Sequence, residues 1–272
     1  MLNFLKNLDK DLQKAMLVQL RNLWTHTSTA IEGNTLTLGE TAFVLEEGLT
    51  ISGKPLKDHE EVVGHARAID LIYDLVKSSD IFREEQLFSL HRAVQVQQVI
   101  DVYKPVGKWK KEPNSTVSVI DGRQVVFEYA TPGDVPGLMK KWFVLYNEIM
   151  GSLKPGNSRH ALDAYVKLHV SFVRIHPFFD GNGRLARLVA NIPVLRAGFP
   201  PVVIPKENRK DYIDALSEYH FAAGRIRKNG DLLPCNDSLK PFTSFCEKAW
   251  ETSLSIVAEI RKIQEKRNNS LT

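Results

Sequence analysis

The stretch "HPFFDGNGRLAR", His176 to Arg187, decides how this chain is read, because it lies between two runs whose apolar residues recur at helical spacing. Upstream, Leu168, Val170, Phe172, Val173 and Ile175 lead to His176, and Pro177 halts the helix that carries them. Downstream, a second helix is expected to begin near Arg184. The loop is therefore pinned between two core helices. Gly181 and Gly183 let the backbone take positive φ and approach a ligand closely, and the free N–H groups at the start of the next helix attract anions, phosphate above all.

Working outward, the same spacing predicts helices over Leu5 to Leu23, Ala42 to Leu49, Val62 to Val76, Leu87 to Val94, Leu138 to Ile149, Ala161 to Ile175, Leu185 to Leu195, Tyr212 to Phe221 and Phe242 to Ile263. Thr37 with Glu40 forms a capping box. Asn191 and Pro193 predict a buried hydrogen bond and a kink. The fold class is all-α, with one departure. In "TVSVIDGRQVVFEY", Thr116 to Tyr129, two β-branched runs flank Asp121-Gly122, a pair suited to a two-residue hairpin turn.

The chemistry of the opening stretch follows from its residue types. Arg184 and Arg187 are three apart and share a helical face, offering planar donors to a polyphosphate. Asp180 repels a lone phosphate, but as a hard oxygen ligand it can hold Mg²⁺ bridging two phosphates. His176 can take a proton from a hydroxyl attacking phosphorus. Residue by residue, plain turns and surface ion pairs also account for these groups; the whole constellation reads as a phosphate-transfer site.

The twelve residues resemble the Fic-family signature HxFx(D/E)GNGRxxR with no departure, and the resemblance extends from about residue 25 to about 225. It implies a Fic-type helical bundle with a hairpin flap over 114–130. It also implies AMP transfer from ATP to a Ser, Thr or Tyr hydroxyl of a target protein, or of the chain itself, with release of pyrophosphate. By that likeness His176 is the general base and Asp180 the Mg²⁺ ligand, while Gly181, Asn182 and Gly183 form the anion hole. Arg184 then clasps the β-phosphate and Arg187 reaches the γ-phosphate. Tyr212 is similar to a position that helps enclose the base.

"STAIEGN", Ser28 to Asn34, resembles the family's inhibitory motif (S/T)xxxE(G/N), placed before the catalytic core. This implies that Glu32, on one helical face with Ser28, pairs with Arg187 and silences the resting enzyme. The same glutamate in some relatives serves AMP removal, so the direction of transfer stays open, and because relatives also use UTP or other donors or phosphorylate, a Fic-fold enzyme with another transfer, or with mainly AMP removal, is the alternative. Domains are expected at 1–24 (N-terminal helix), 25–225 (Fic domain, inhibitory helix 26–34) and 226–272 (C-terminal helical extension). A homodimer is one option for the assembly.

Composition agrees with a globular chain: 272 residues, 43% hydrophobic and 25% charged, with a formal net charge of +4. The tight basic cluster "KWKKE", Lys108 to Glu112, reads as a solvated loop, so a non-catalytic nucleic-acid-binding protein is the remote alternative. Cys235 and Cys246 fit neither a zinc spacing nor a disulfide framework, and the expected location is cytoplasmic. No apolar run approaches the roughly 18 residues that span a bilayer. "GLTISGKP", Gly48 to Pro55, is set aside as a P-loop because Pro55 stands where a Mg²⁺-binding hydroxyl belongs. His169 reads as a packed histidine.

Overall fold

The computed structural model describes residues 2–78, 81–95, 101–120 and 123–270. In chain order the elements are α1 (Lys10–Ile31), α2 (Leu38–Glu47), α3 (Leu56–Lys77), α4 (Glu84–Val94), β1 (Ser115–Ile120), β2 (Arg123–Glu128), α5 (Val135–Ser152), α6 (Ser158–Ile175), α7 (Asn182–Val189), α8 (Asn191–Arg196), α9 (Arg209–Ala223) and α10 (Lys240–Ser270). The architecture is all-α with one antiparallel hairpin, whose register runs from Ser115 opposite Glu128 to Ile120 opposite Arg123. The Asp121-Gly122 turn lies outside the described residues.

α6 is the axis of the bundle. Every residue from Leu168 to Ile175 is buried, which marks a helix surrounded on all sides rather than one lying on a surface. It packs on α5, α7, α8 and α10. The indole N–H of Trp142 on α5 donates to the Leu168 carbonyl at 3.2 Å, so the largest side chain at that contact also has its polar atom satisfied. Asn157 starts α6 as an N-cap, its side chain accepting from His160 N–H at 3.0 Å. The Thr37–Glu40 capping box opens α2.

Three expectations change on contact with the structure. The helix expected over 1–24 and the one over 26–34 are a single α1, since Lys10–Ile31 runs unbroken through position 24. Its polar segment stays helical because Thr27 and Thr29 donate their hydroxyls to the carbonyls of Leu23 and Thr25, both at 2.9 Å. The extension 226–272 does not stand apart: Leu239, Phe242, Cys246, Ala249 and Trp250 belong to the same buried core as α6. Trp250 Nε1 and Ser253 Oγ on α10 also donate to the carbonyls of Pro200 and Pro201, at 2.9 and 2.5 Å. The basic cluster is a solvated loop only in part: Lys108, Lys111 and Glu112 are exposed, but Lys110 is only 2% exposed.

The helix predicted over Leu185 to Leu195 breaks at Ala190 into α7 and α8. Pro193 has no N–H for the turn before it, and Asn191 fills the break. Its amide donates to Arg187 O at 2.9 Å and Val202 O at 3.0 Å, and accepts from Val202 N–H at 2.7 Å.

Candidate active site

The site grows from the end of α6. His176 closes the helix in the left-handed region, φ +52 and ψ +60, a conformation that a proline at the next position helps to force by disfavouring the right-handed one. Its Nδ1 faces the carbonyl of Val173 at 3.4 Å, a contact that suits a proton on Nδ1 and leaves Nε2 with its lone pair. The imidazole is stacked on the Tyr129 ring, with centroids 3.7 Å apart and planes at 11°. Burial, then the Lys110 ammonium, pull its pKa down to about 3, although part of the residue stays open at the surface.

The loop that follows is fixed by its own side chains. Asn182 accepts from Phe178 N–H at 2.9 Å and donates to Phe178 O at 2.8 Å, so its side chain shapes the loop. Gly181 caps α7 at φ +79, and a Cβ there would meet Gln95 Nε2 at 2.8 Å. His91 supplies a contact the sequence did not suggest. Gly107 N–H donates to its Nδ1 at 2.7 Å, which leaves the proton on Nε2 to donate to Asp180 O at 3.2 Å.

Asp180 keeps 70% of its side chain exposed beside this turn. One oxygen accepts from Gly181 N–H at 2.7 Å, and the other lies 3.5 Å from Arg184. Burial raises its carboxyl, but the Gln95 amide and Arg184 outweigh this and hold it below the usual range. An exposed, ionised oxygen ligand fits Mg²⁺, which binds through one or two carboxylates and completes its shell with water and substrate phosphates. Among the described residues no group of three or more His, Cys, Asp or Glu is arranged to hold a metal ion by itself.

Arg184 and Arg187 are both buried on α7. Arg184 donates to Val94 O at 3.3 Å and lies 3.9 Å from Glu61. Arg187 is held on three sides. Ser28 accepts from it twice, Oγ at 3.0 Å and the carbonyl at 2.9 Å; Tyr212 OH accepts at 3.3 Å; Glu32 Oε1 accepts at 2.6 Å. Burial opposes the charge, but Tyr212 and Glu32 keep the guanidinium firmly protonated. Glu32 comes this close because Gly183 has no side chain: a Cβ there would stand 2.6 Å from Glu32 Oε1.

Tyr212 lies elsewhere than its expected role suggests. It is 2% exposed, accepts from Arg187 and hence donates to His169 Nε2 at 3.1 Å, so it steadies the arginine from behind and offers no open face to a base. His169 is packed, as expected, against Tyr165, Tyr212 and Phe242.

The hairpin stands over His176. Tyr129, just past β2, covers His176, and its N–H donates to Asn114 O at 3.3 Å at the foot of the hairpin. Lys110 N–H donates to Pro177 O at 2.9 Å, and Trp109 packs on Phe88 and Phe178. Val117 and Val126 are 57% and 60% exposed on the two strands.

The comparisons with known proteins agree with this geometry. A family model described as the Fic/DOC family matches residues 81–193. "Protein adenylyltransferase Fic" of Drosophila grimshawi is 32% identical over 232 residues, covering 84% of this chain and 41% of its own length; that of Drosophila willistoni is 34% identical over 235 residues, with 84% and 40% covered. The chain thus spans about two fifths of the length of these curated relatives. Among solved structures, a Fic domain containing signaling protein from Bacteroides thetaiotaomicron superposes with a TM-score of 0.82 at 30% identity, over 95% of this chain and 92% of that one. Fic-1 from C. elegans gives 0.70 at 26% identity, over 98% and 69%. An unbroken signature set between α6 and α7, and a solved relative matched along nearly its whole length, make this chain a member of the Fic/DOC family.

Proposed function

We propose that this chain is an autoinhibited protein adenylyltransferase, which moves AMP from ATP to a hydroxyl of a target protein. The observation that carries the reading is the Glu32–Arg187 pair inside an intact phosphate-binding constellation. Arg187 and Arg184 share one face beside the α7 N-terminus, the arrangement a polyphosphate needs, and a carboxylate already occupies the more buried of the two guanidinium groups. The names of the relatives support adenylyl transfer as the reaction.

In this reading His176 Nε2 takes the proton of the target hydroxyl as that oxygen bonds to the α-phosphorus. The bond from that phosphorus to the bridging oxygen breaks, and pyrophosphate leaves with the electron pair. Asp180 would hold Mg²⁺, whose charge offsets that of the phosphates. The main-chain N–H groups of Asn182 and Gly183 would face the phosphates, joined by that of Gly181 once it leaves Asp180, with Arg184 on the β-phosphate and Arg187 on the γ-phosphate once Glu32 yields. The hairpin would present the target segment by strand pairing. AMP removal is the second reading, supported by Glu32 being 40% exposed and hence open to water beside the phosphates.

The deciding experiment follows label from α-labelled and γ-labelled ATP into protein, using Glu32→Gly with and without His176→Ala. The expected result is label from the α position only, lost without His176. Label from the γ position alone would mean phosphate transfer, and no label from either would set AMP transfer aside.

A further inference from the structure

Lys110 is a buried ammonium with no acidic partner among the described residues. It is 2% exposed, and its Nζ donates to the Asn114 amide oxygen at 2.5 Å. Burying an unpaired charge is costly, and a lysine stem at this position could have been apolar throughout. What it gains is location. Its main chain holds Pro177 O, and Asn114 donates onward to Phe178 O at 3.0 Å and Phe179 O at 3.4 Å, so this one pair ties down the three residues after the base. Its Nζ lies 6.0 Å from the centroid of the same Tyr129 ring that stacks on His176.

We propose that Lys110 is a positioning residue for the base: it locks the loop behind His176 and, with its Nζ against the Tyr129 ring that stacks on the imidazole, disfavours a positive charge on that imidazole. The proposal rests on the reading of His176 as the base.

The electrostatics run in the right order. Burial, then Arg225, bring the Lys110 ammonium down to about 7. As the pH falls through neutrality, Lys110 charges first, just above the range in which an ordinary imidazole would begin to protonate. The other groups facing His176 are His220 from α9, which also disfavours a second charge, Asp180 from the far side of the loop, which favours one, and Tyr129, held neutral. Lys110 is the strongest of these charges in its effect on His176.

The test is an NMR titration of the full chain, free of nucleotide and magnesium, with ¹⁵N-labelled histidine and ¹³C-labelled lysine. In the wild type, Lys110 is expected to titrate near 7 and His176 well below 6.5. In Lys110→Met the His176 midpoint should rise by about one pH unit, a tenfold gain in proton affinity, and Lys110→Arg should leave it low. The acid limb of label transfer by Glu32→Gly should shift with it. An unmoved His176 in Lys110→Met, or a wild-type His176 titrating at or above the ordinary value of about 6.5, overturns the proposal. If Lys110→Met does not fold, the wild-type titration decides alone. Shifted titrations in a chain that transfers no AMP would leave Lys110's effect standing and remove the functional reading instead.

Discussion

Replacing Glu32 with glycine is the perturbation with the clearest expected size. The pair it breaks is 2.6 Å long, with the Arg187 side chain 3% exposed and that of Glu32 40% exposed. Breaking a fully buried ion pair costs about 3–5 kcal/mol, but the open side of Glu32 reduces this toward the roughly 1.5–3 kcal/mol of a hydrogen bond to a charged group. Taking about 2 kcal/mol as the advantage Glu32 holds over an incoming γ-phosphate, its removal should tighten productive ATP binding about thirtyfold. Arg187 stays anchored by Ser28 and Tyr212, so the fold should lose only about 1 kcal/mol. The assay is incorporation of label from α-labelled ATP at concentrations well below saturation, where affinity reads directly as rate, with a melting curve alongside. Glu32→Gln, similar in shape without the charge, should share most of the gain. A rise of less than threefold in a folded Glu32→Gly variant would refute the assignment of Glu32 as the competitor for Arg187.

Other perturbations probe the scaffold around that pair. Tyr212→Phe strands a buried Arg187 N–H and the His169 ring nitrogen, and should lower the urea midpoint by the equivalent of about 1–3 kcal/mol at constant m; an unmoved midpoint would mean the hydroxyl makes neither bond. Arg174→Met removes the donors to the carbonyls of Ala223, Gly224, Asp231 and Leu232 and should cost about 3 kcal/mol, or roughly 6–12 °C of melting temperature, whereas a loss under 2 °C would contradict the buried cap. Burial depresses the pKa of His65, His169 and His220, so below about pH 6.5 the unfolded chain binds protons that the folded chain refuses. Stability should therefore fall on acidification, by about 3 kcal/mol for the three between pH 6.5 and 5.5, and a flat urea midpoint over that range would contradict it.

What could be read from the sequence was local. The signature, the Thr37–Glu40 box, the hairpin and the Asn191 break each complete their geometry within a few residues, so spacing alone carries them. The misread parts depend on partners far along the chain. Ser28 and its neighbouring threonines look like poor helix formers until burial and hydroxyl bonds to preceding carbonyls are counted. A run such as Lys108 to Lys111 is usually a wet surface; here Trp109 turns into the Phe88–Phe178 cluster and takes Lys110 with it. Tyr212 and His169 are 43 residues apart, and no spacing rule joins them. His91 carries no motif at all, since its role is defined by Gly107 and Asp180.

The left-handed backbone of His176 has a consequence for how this site tolerates change. A residue with a Cβ held at φ +52 costs about 1–2 kcal/mol that glycine would not incur. Glycine at 176 should therefore melt higher than alanine at 176, with neither able to take a proton. On the proposed reading of His176 as the base, the chain keeps at this position a backbone cost that the imidazole's chemistry, and not the local conformation, explains.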